Sequence, residues 1–323
     1  MKLKFLLIGG NGLLGYSVAN FLVKKNFDVT IISRTNKKIL SKKIKWIKAN
    51  YYSQKIDKII SKNNYDIIIN FIIFKQKQAL RDINYFKRKK ILRYYFISST
   101  SVYKETKSKI NERTKVYDGR WPYAKEKYKC ERKFLQAHKK GFPVIIIRAG
   151  HIYSENTLPT PFVSSGYEYV NYLMKAKYAI IPFNLKKKWS LLHTNDFAKN
   201  FGKVLTVKTN NKFNLINIAS EKEILWKEII LVYIKYLKKR IKFKKINLNN
   251  LPKRISTAIK GDRAKNCSYN NKLFKKNFGK FIEKENTKKK LELSIKNYLR
   301  KKKFKHNNKI MKLFFKIEKK INF

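Results

Sequence analysis

Short apolar runs alternate along the chain with segments whose apolar residues recur at helical spacing. Residues 3–8 read as a buried parallel strand, and a turn rich in glycine follows. Leu13, Leu14, Val18, Phe21 and Leu22 then recur three or four apart, as one face of a helix requires. Further strands are predicted at Asp28–Ser33 (DVTIIS), Ile44–Lys48 (IKWIK), Tyr65–Ile73 (YDIIINFII), Leu92–Ser98 (LRYYFIS) and Pro143–Arg148 (PVIIIR). Helices are predicted over Ile56–Ile60, 76–89 and 123–139, the last with Tyr123, Lys127, Cys130 and Phe134 near one face. Strands separated by helices imply right-handed crossovers and a doubly wound parallel sheet.

The pattern changes after about residue 150. A helix near 166–176, a short strand at Trp189–His193, a helix over Asp196–Val207, a strand at Phe213–Ala219 and a helix over Leu225–Leu237 are expected. This divides the chain into a sheet domain over 1–155, with elements near 189–220 returning to it, a smaller lobe over 156–300, and a tail over 301–323. The tail has nine Lys against one Glu, and Ile310, Phe314, Ile317 and Ile321 lie three or four apart. That is the signature of a basic amphipathic helix, docked on the protein or in peripheral contact with a membrane.

The chain has 323 residues, 43% of them hydrophobic, which suits a folded protein with a full core. Its net charge of +58 raises the question of nucleic acid. The excess is Lys spread along the whole chain, beside an excess of Ile, Asn, Tyr and Phe, all encoded by A/T-rich codons. Genome bias accounts for much of it, leaving weak, non-specific, salt-sensitive nucleic-acid binding as the expectation. Two cysteines, Cys130 and Cys267, support neither a disulfide framework nor a metal cluster, and a reducing, cytoplasmic setting is expected. The opening Met1–Ile8 has the look of a signal peptide, but its apolar stretch is short and runs into glycine, as a first strand would. No apolar run approaches the roughly 20 residues of a membrane span.

Chemistry is concentrated in two motifs. Gly9, Gly12 and Gly15 lie between a predicted strand and helix, with Gly10, Asn11, Leu13 and Leu14 among them. A turn of this kind lets a pyrophosphate approach backbone N–H groups at a helix N-terminus. The second strand ends in Ser33-Arg34-Thr35, without the acidic residue that usually holds the ribose of NAD. An Arg there pairs with the extra phosphate of NADP, so NAD or NADP is expected, with NADP favoured. The second motif is Tyr123-x-x-x-Lys127, which puts phenol and ammonium on one helix face and draws the phenol pKa towards the working range. Ser99 follows the fifth strand, at the sheet edge where ligands sit in such folds. His151 and His193 have no third residue at metal-ligand spacing, and no metal site is expected.

In order along residues 1–300, these motifs resemble an extended short-chain dehydrogenase/reductase of the NAD-dependent epimerase/dehydratase family. The resemblance takes in the glycine turn, Asp66–Asn70, Phe96–Ser99 with Val102-Tyr103, and Trp121-Pro122-Tyr123 with Lys127 and Glu131. It continues through Ile147-Arg148, His151–Tyr153, His193–Ala198, Asn217–Ser220 and Gly261-Asp262-Arg263. It implies a Rossmann-type α/β fold with a C-terminal substrate-binding lobe, and an enzyme acting on a nucleotide-activated sugar. Tyr123 would be the base, Lys127 would bind the nicotinamide ribose and favour the phenolate, and Ser99 would hold the carbonyl oxygen that forms. Asn50 stands where many relatives carry an adenine-contacting Asp, and Arg263 is a candidate contact to the substrate diphosphate.

The departures narrow the reaction. Dehydratases of this kind carry an Asp-Glu pair where this chain has Thr100 and Ser101, and sugar-acid decarboxylases carry a Glu at the position of Ser101. A 4,6-dehydratase is therefore disfavoured, while epimerase and ketone-reductase chemistry stay open. Ala149 stands where relatives usually have Pro. The resemblance further implies a homodimer built on two helices per subunit. The alternative reading is a non-catalytic or RNA-binding member of the same fold.

Overall fold

A computed structural model describes residues 2–35, 41–116, 121–162, 166–206, 213–300 and 308–321. The first half runs β1 (Lys4–Ile8), α1 (Leu13–Lys24), β2 (Asp28–Ser33), β3 (Ile44–Lys48), α2 (Ile56–Ile60), β4 (Ile67–Asn70), α3 (Gln76–Phe86), β5 (Arg93–Ser99), α4 (Pro122–His138) and β6 (Val144–Ala149). The second half adds β7 (Ile152–Tyr153), α5 (Gly166–Lys175), β8 (Tyr178–Ile181), β9 (Lys188–Trp189), β10 (Leu192–His193), α6 (Thr194–Thr206), β11 (Leu215–Ile218) and β12 (Ile224–Leu225). It ends with α7 (Trp226–Tyr236), β13 (Lys242–Lys245), α8 (Lys253–Ala258), α9 (Lys272–Phe278), α10 (Thr287–Arg300) and α11 (Asn308–Ile321).

The central sheet has seven parallel strands in the order β11-β6-β5-β4-β1-β2-β3. Strand side chains alternate between its two faces, as the period of two dictates. Phe5, Leu7, Ile67, Ile69, Tyr95 and Ile97 pack on one side with α1, α6 and α9. Leu6, Ile8, Ile68, Tyr94 and Phe96 pack on the other with α2, α3 and α4. The chain order reverses beside β1: β2 and β3 lie on one side of it, β4 and β5 on the other. Ligands in open α/β sheets bind at such a switch point, outside the carboxyl ends of the strands.

Strand four is shorter than the apolar run Tyr65–Ile73 suggests. The Asn70 side chain accepts from the Ile72 N–H at 2.8 Å and donates to Asp82 at 2.8 Å, turning the chain out of the sheet after Asn70. Of the segments expected to return to the sheet, β11 pairs with β6. The stretch Trp189–His193 instead splits: β9 pairs with β12, and β10 with β7. The predicted end of α6 at Val207 lies outside the described residues.

The second half builds its own core from α5, α7, α10 and α11, with Trp189, Trp226, Tyr169 and Tyr172 buried in it. The tail helix belongs to this core. Phe314 and Ile317 are buried, and Phe314 packs against Phe162 and Tyr169 at ring separations of 4.8 and 5.8 Å. Glu318 accepts from the Lys177 and Tyr178 N–H groups, each at 2.7 Å, anchoring α11 to the start of β8. The apolar face that a membrane would take is thus covered by the protein itself. Residues 301–307 and the Ile321 side chain lie outside the described part. Among the described residues, no helix is long and apolar enough to cross a membrane.

Phe314 fills its site without exposure, so Phe314→Ala should cost about 3–5 kcal/mol. Urea unfolding measures this directly; a loss under about 1 kcal/mol would mean that α11 is only loosely docked.

Candidate active site

The glycine turn occupies the carboxyl end of β1. Gly9 has φ +77°, and a Cβ there would lie 2.4 Å from Ile72. A Cβ on Gly15 would lie 2.5 Å from the Gly10 backbone, so this position sets how closely α1 approaches the turn. Gly12 is exposed, and its Cβ position is open apart from the Gly9 carbonyl at 3.6 Å. The first turn of α1 carries no acidic residue and no side-chain cap. Its N–H groups and positive dipole end are therefore presented outward, which suits a diphosphate.

Asn11 is buried, and its amide donates to the Thr35 carbonyl and hydroxyl, both at 2.9 Å. This ties the turn to the end of β2, where Ser33 Oγ also donates to the Thr35 carbonyl at 2.7 Å. Arg34 is exposed between them. Ala49 N–H donates to the Ser33 carbonyl at 3.0 Å, which sets the exposed Asn50 beside the same strand end. Leu13 and Leu14 open α1, Leu13 exposed and Leu14 half-buried. The residues expected to hold a dinucleotide therefore share one sheet edge, and they fit it.

The loop after β4 joins this turn to the second motif. Ile72 packs under Gly9, and two residues on, the Phe74 ring lies 6.4 Å from that of Tyr123 and 4.7 Å from Lys127 Nζ. Tyr123 opens α4 behind Pro122, whose fixed φ suits a first helical position. Lys127 is one turn further and is buried; its Nζ donates to the Ile97 carbonyl at 2.9 Å and lies 5.0 Å from the Phe96 ring centre. Ser99 ends β5 near enough to the Tyr123 phenol to favour its ionisation. Ser99, Tyr123 and Lys127 are thus brought together.

Their electrostatics differ from the expectation that Lys127 draws the phenol towards neutrality. Burial pushes the Tyr123 phenol up to about 12; the Asp262 carboxylate adds to this, while Ser99 and Arg263 oppose it. Burial also brings the Lys127 ammonium down to about 8, with Cys130 and Glu131 acting the other way. Removal from water is the largest effect on both groups.

Arg263 lies at the end of a π-helical turn, Ile259–Arg263. A Cβ on Gly261 would lie 2.6 Å from that of Trp121, so the glycine lets this turn pack on the start of α4. Arg263 Nη1 is 2.6 Å from Asp262 Oδ2, and its guanidinium lies 5.0 Å from the Trp189 ring centre. With His151, Trp189 and Trp226 it lines a cavity of about 170 Å³. His151 pairs with Asp262 at 3.1 Å and His193 with Glu155 at 3.1 Å.

Ser101, Asp262 and His151 also belong to this cluster and were not identified from sequence as site residues. Ser99 Oγ donates to Ser101 Oγ at 3.1 Å, and Ser101 Oγ donates to Asp262 Oδ1 at 3.0 Å. The advance signals were the strings His151–Tyr153 and Gly261-Asp262-Arg263 among the resembling motifs, and Ser101 as a position where relatives carry an acid.

The profile of the NAD dependent epimerase/dehydratase family matches residues 5–219. No curated protein sequence is close enough to count as a match. Among solved structures, the chain is similar to a UDP-glucuronic acid 4-epimerase from Bacillus cereus in complex with UDP-glucuronic acid and NAD, at TM-score 0.73 and 14% identity over 92% of this chain and 99% of that one. It is also similar to a UDP-N-acetylglucosamine 4-epimerase from Methanobrevibacter ruminantium, at TM-score 0.73 and 16% identity over 93% of this chain and 99% of that one. A UDP-glucose 4-epimerase from Thermotoga maritima aligns at TM-score 0.70 and 14% identity over 93% and 99% of the two chains.

A buried ammonium lowered from 10.5 to about 8 destabilises the folded chain by ~3 kcal/mol at neutral pH. This cost is fully present below about pH 8 and vanishes as pH rises to 10.5, where the unfolded chain also loses the proton. Lys127→Met should therefore raise Tm at pH 7, with the gain shrinking above pH 8. Thermal unfolding across this range checks it; an unchanged or lower Tm at pH 7 would contradict the assigned cost.

Proposed function

The chain belongs to the NAD dependent epimerase/dehydratase family, and we propose that it is a nicotinamide-dinucleotide-dependent epimerase of a nucleotide-activated sugar. The observation that carries this reading is the convergence of Ser99, Tyr123 and Lys127 beside the loop that packs under the glycine turn. The three 4-epimerases to which the fold is similar support a UDP-sugar as substrate and C4 as the reacting carbon. Thr100 and Ser101, where dehydratases place an acid pair, favour epimerisation over elimination.

The glycine turn and the outward N–H groups of α1 would hold the diphosphate of a dinucleotide, and Arg34 and Asn50 would lie at its adenosine end. A bound nicotinamide would supply the hydride acceptor and donor that the sugar carbon needs. Tyr123, as phenolate, takes the proton of the sugar hydroxyl while the carbon beneath it becomes a carbonyl. On the return, the phenol gives the proton back to the alkoxide. Lys127 lies one helical turn from Tyr123 and would bind the nicotinamide ribose. Ser99 Oγ steadies the reacting oxygen at the end of β5. Arg263, stacked over Trp189, attracts the substrate diphosphate. The exposed Arg34 favours NADP over NAD.

Tyr123→Phe removes the base and leaves the glycine turn intact. Turnover of a UDP-hexose should fall by about 10²–10⁴ with cofactor affinity nearly unchanged; comparable turnover would exclude Tyr123 as the base. Fluorescence titration with NAD(H) and NADP(H) tests the cofactor reading, and absence of any binding would remove it. Arg34→Asp should reverse the preference towards NAD by about tenfold or more; an unchanged ratio would separate Arg34 from the choice.

A further inference from the structure

The cavity of about 170 Å³ beside Arg263 holds an ionisable group that the chemistry proposed above leaves unused. Among the described residues lining it, His151 and Arg263 are the titratable ones; Trp189, Trp226, Leu158 and Leu191 supply apolar walls. The His151 ring packs on that of Trp189 with 3.9 Å between centres. Its side chain keeps 11% exposure, so a ligand in the cavity can reach it.

One carboxylate serves both cavity residues. Asp262 Oδ1 accepts from Ser101 Oγ at 3.0 Å and meets His151 Nε2 at 3.1 Å, while Asp262 Oδ2 accepts from Arg263 Nη1 at 2.6 Å. Burial opposes ionisation of Asp262, but His151 and Arg263 beside it, with hydrogen bonds from His151 and Ser101, hold it well below the usual carboxylate range. As an ionised group it can only accept, so His151 Nε2 carries a proton. In the neutral ring this leaves Nδ1 as a bare lone pair. Nδ1 is buried and has no hydrogen-bond partner among the described residues, and the same is true of Arg263 Nε.

We propose that His151 takes up a proton when the diphosphate of the substrate enters this cavity, so that imidazolium and guanidinium hold the ligand together. The inference rests on the nucleotide-sugar reading above and adds that binding is coupled to pH. In the free chain the Asp262 carboxylate and the Arg263 guanidinium balance one another. A diphosphate brings negative charge on both phosphates into a space with apolar walls, where charge is poorly screened. The proton comes from solvent and adds to Nδ1, whose N–H then donates to a phosphate oxygen. The Nε2 proton stays on Asp262, and no other bond is made or broken.

The charges around His151 agree with this. Burial holds its pKa below the usual histidine value, Arg263 and Lys265 push the same way, and Asp262 opposes them by its charge and its hydrogen bond. The ring is therefore neutral above pH 7 in the free chain. An anion beside Arg263 offsets the cationic effect on the ring and favours the imidazolium. Tyr123 and Cys267 also face Asp262, but burial raises both, so neither brings a competing charge. Lys265 Nζ is occupied by the Tyr103 carbonyl at 3.2 Å.

The test is calorimetric titration of the full chain with UDP-glucose, without added dinucleotide, at about pH 7.5 in two buffers of different ionisation enthalpy. The diphosphate of this ligand is a diester and has no group of its own that titrates there. The expected result is uptake of about half a proton or more per ligand, with Kd weakening about three- to tenfold for each pH unit above this. His151→Asn, whose amide can still donate to Asp262, should bind with no uptake and a Kd flat over the same range. Binding by the parent without uptake would overturn the proposal and leave the nucleotide-sugar reading standing. Uptake that persists in His151→Asn would overturn it too, by placing the proton elsewhere, with Lys127 at about 8 as the nearest alternative in pKa. Absence of any binding at millimolar UDP-glucose would overturn both the proposal and the substrate reading beneath it. Where His151→Asn impairs folding, the ring C–H resonance of His151 in the parent decides the matter. Its titration midpoint should rise by about one pH unit or more on saturation with UDP-glucose, and an unmoved midpoint would overturn the proposal.

Discussion

A lysine ammonium with its only described hydrogen bond to a strand carbonyl is the constraint on which the rest of the centre depends. Lys127 Nζ reaches the Ile97 carbonyl from α4, between the rings of Phe74 and Phe96. Burying a cation in such surroundings opposes folding, and the chain accepts that cost at the carboxyl edge of its central sheet. The bond fixes α4 against β5. It thereby fixes Tyr123 one turn earlier, above Ser99 at the strand end. The close-packed apolar faces around it, Phe96, Phe134 and Cys130 among them, leave α4 little room to shift.

The same edge gathers the remaining parts because of the order in which strands enter the sheet. β1 lies at the reversal, so its glycine turn opens next to the loop that leaves β4. Ile72 occupies the space a side chain on Gly9 would need, and Phe74 reaches Tyr123 and Lys127. Five residues after β4 thus connect the glycine turn to Tyr123 and Lys127. From the other direction, the turn Ile259–Arg263 brings a carboxylate and a guanidinium onto the start of α4, because Gly261 accepts the Trp121 side chain. Hydrogen bonds run from Ser99 through Ser101 to Asp262, whose neighbour Arg263 lines the cavity.

Much of this was legible in the sequence because its signals are local. The six strands of the first half, the glycine turn and the Tyr123/Lys127 spacing each lie within a few residues, and period and turn chemistry suffice to place them. The family emerged from their order along the chain. What lay beyond reach depends on contacts between distant residues. An apolar run cannot say where a strand ends, and Asn70 ends β4 by pairing with Asp82 on α3. The amphipathic tail announced an apolar face, but not that Phe162 and Tyr169 would cover it. Ser101 and Asp262 are 161 positions apart, and nothing near either of them predicts their bond. The spacing of Tyr123 and Lys127 likewise gave their shared face but not the depth of their burial, which reverses the expected direction of the phenol's shift.

The proposed chemistry requires one placement: a nicotinamide ring beside Tyr123 and Lys127, with its diphosphate on the glycine turn. A crystal structure of the chain grown with NADP, and in parallel with NAD, measures that placement directly. The predicted result is diphosphate oxygens within hydrogen-bond distance of the backbone N–H groups at residues 12–14, and the nicotinamide ribose against Lys127. Dinucleotide bound elsewhere on the surface, or bound at the turn with its nicotinamide directed away from Tyr123, would contradict it.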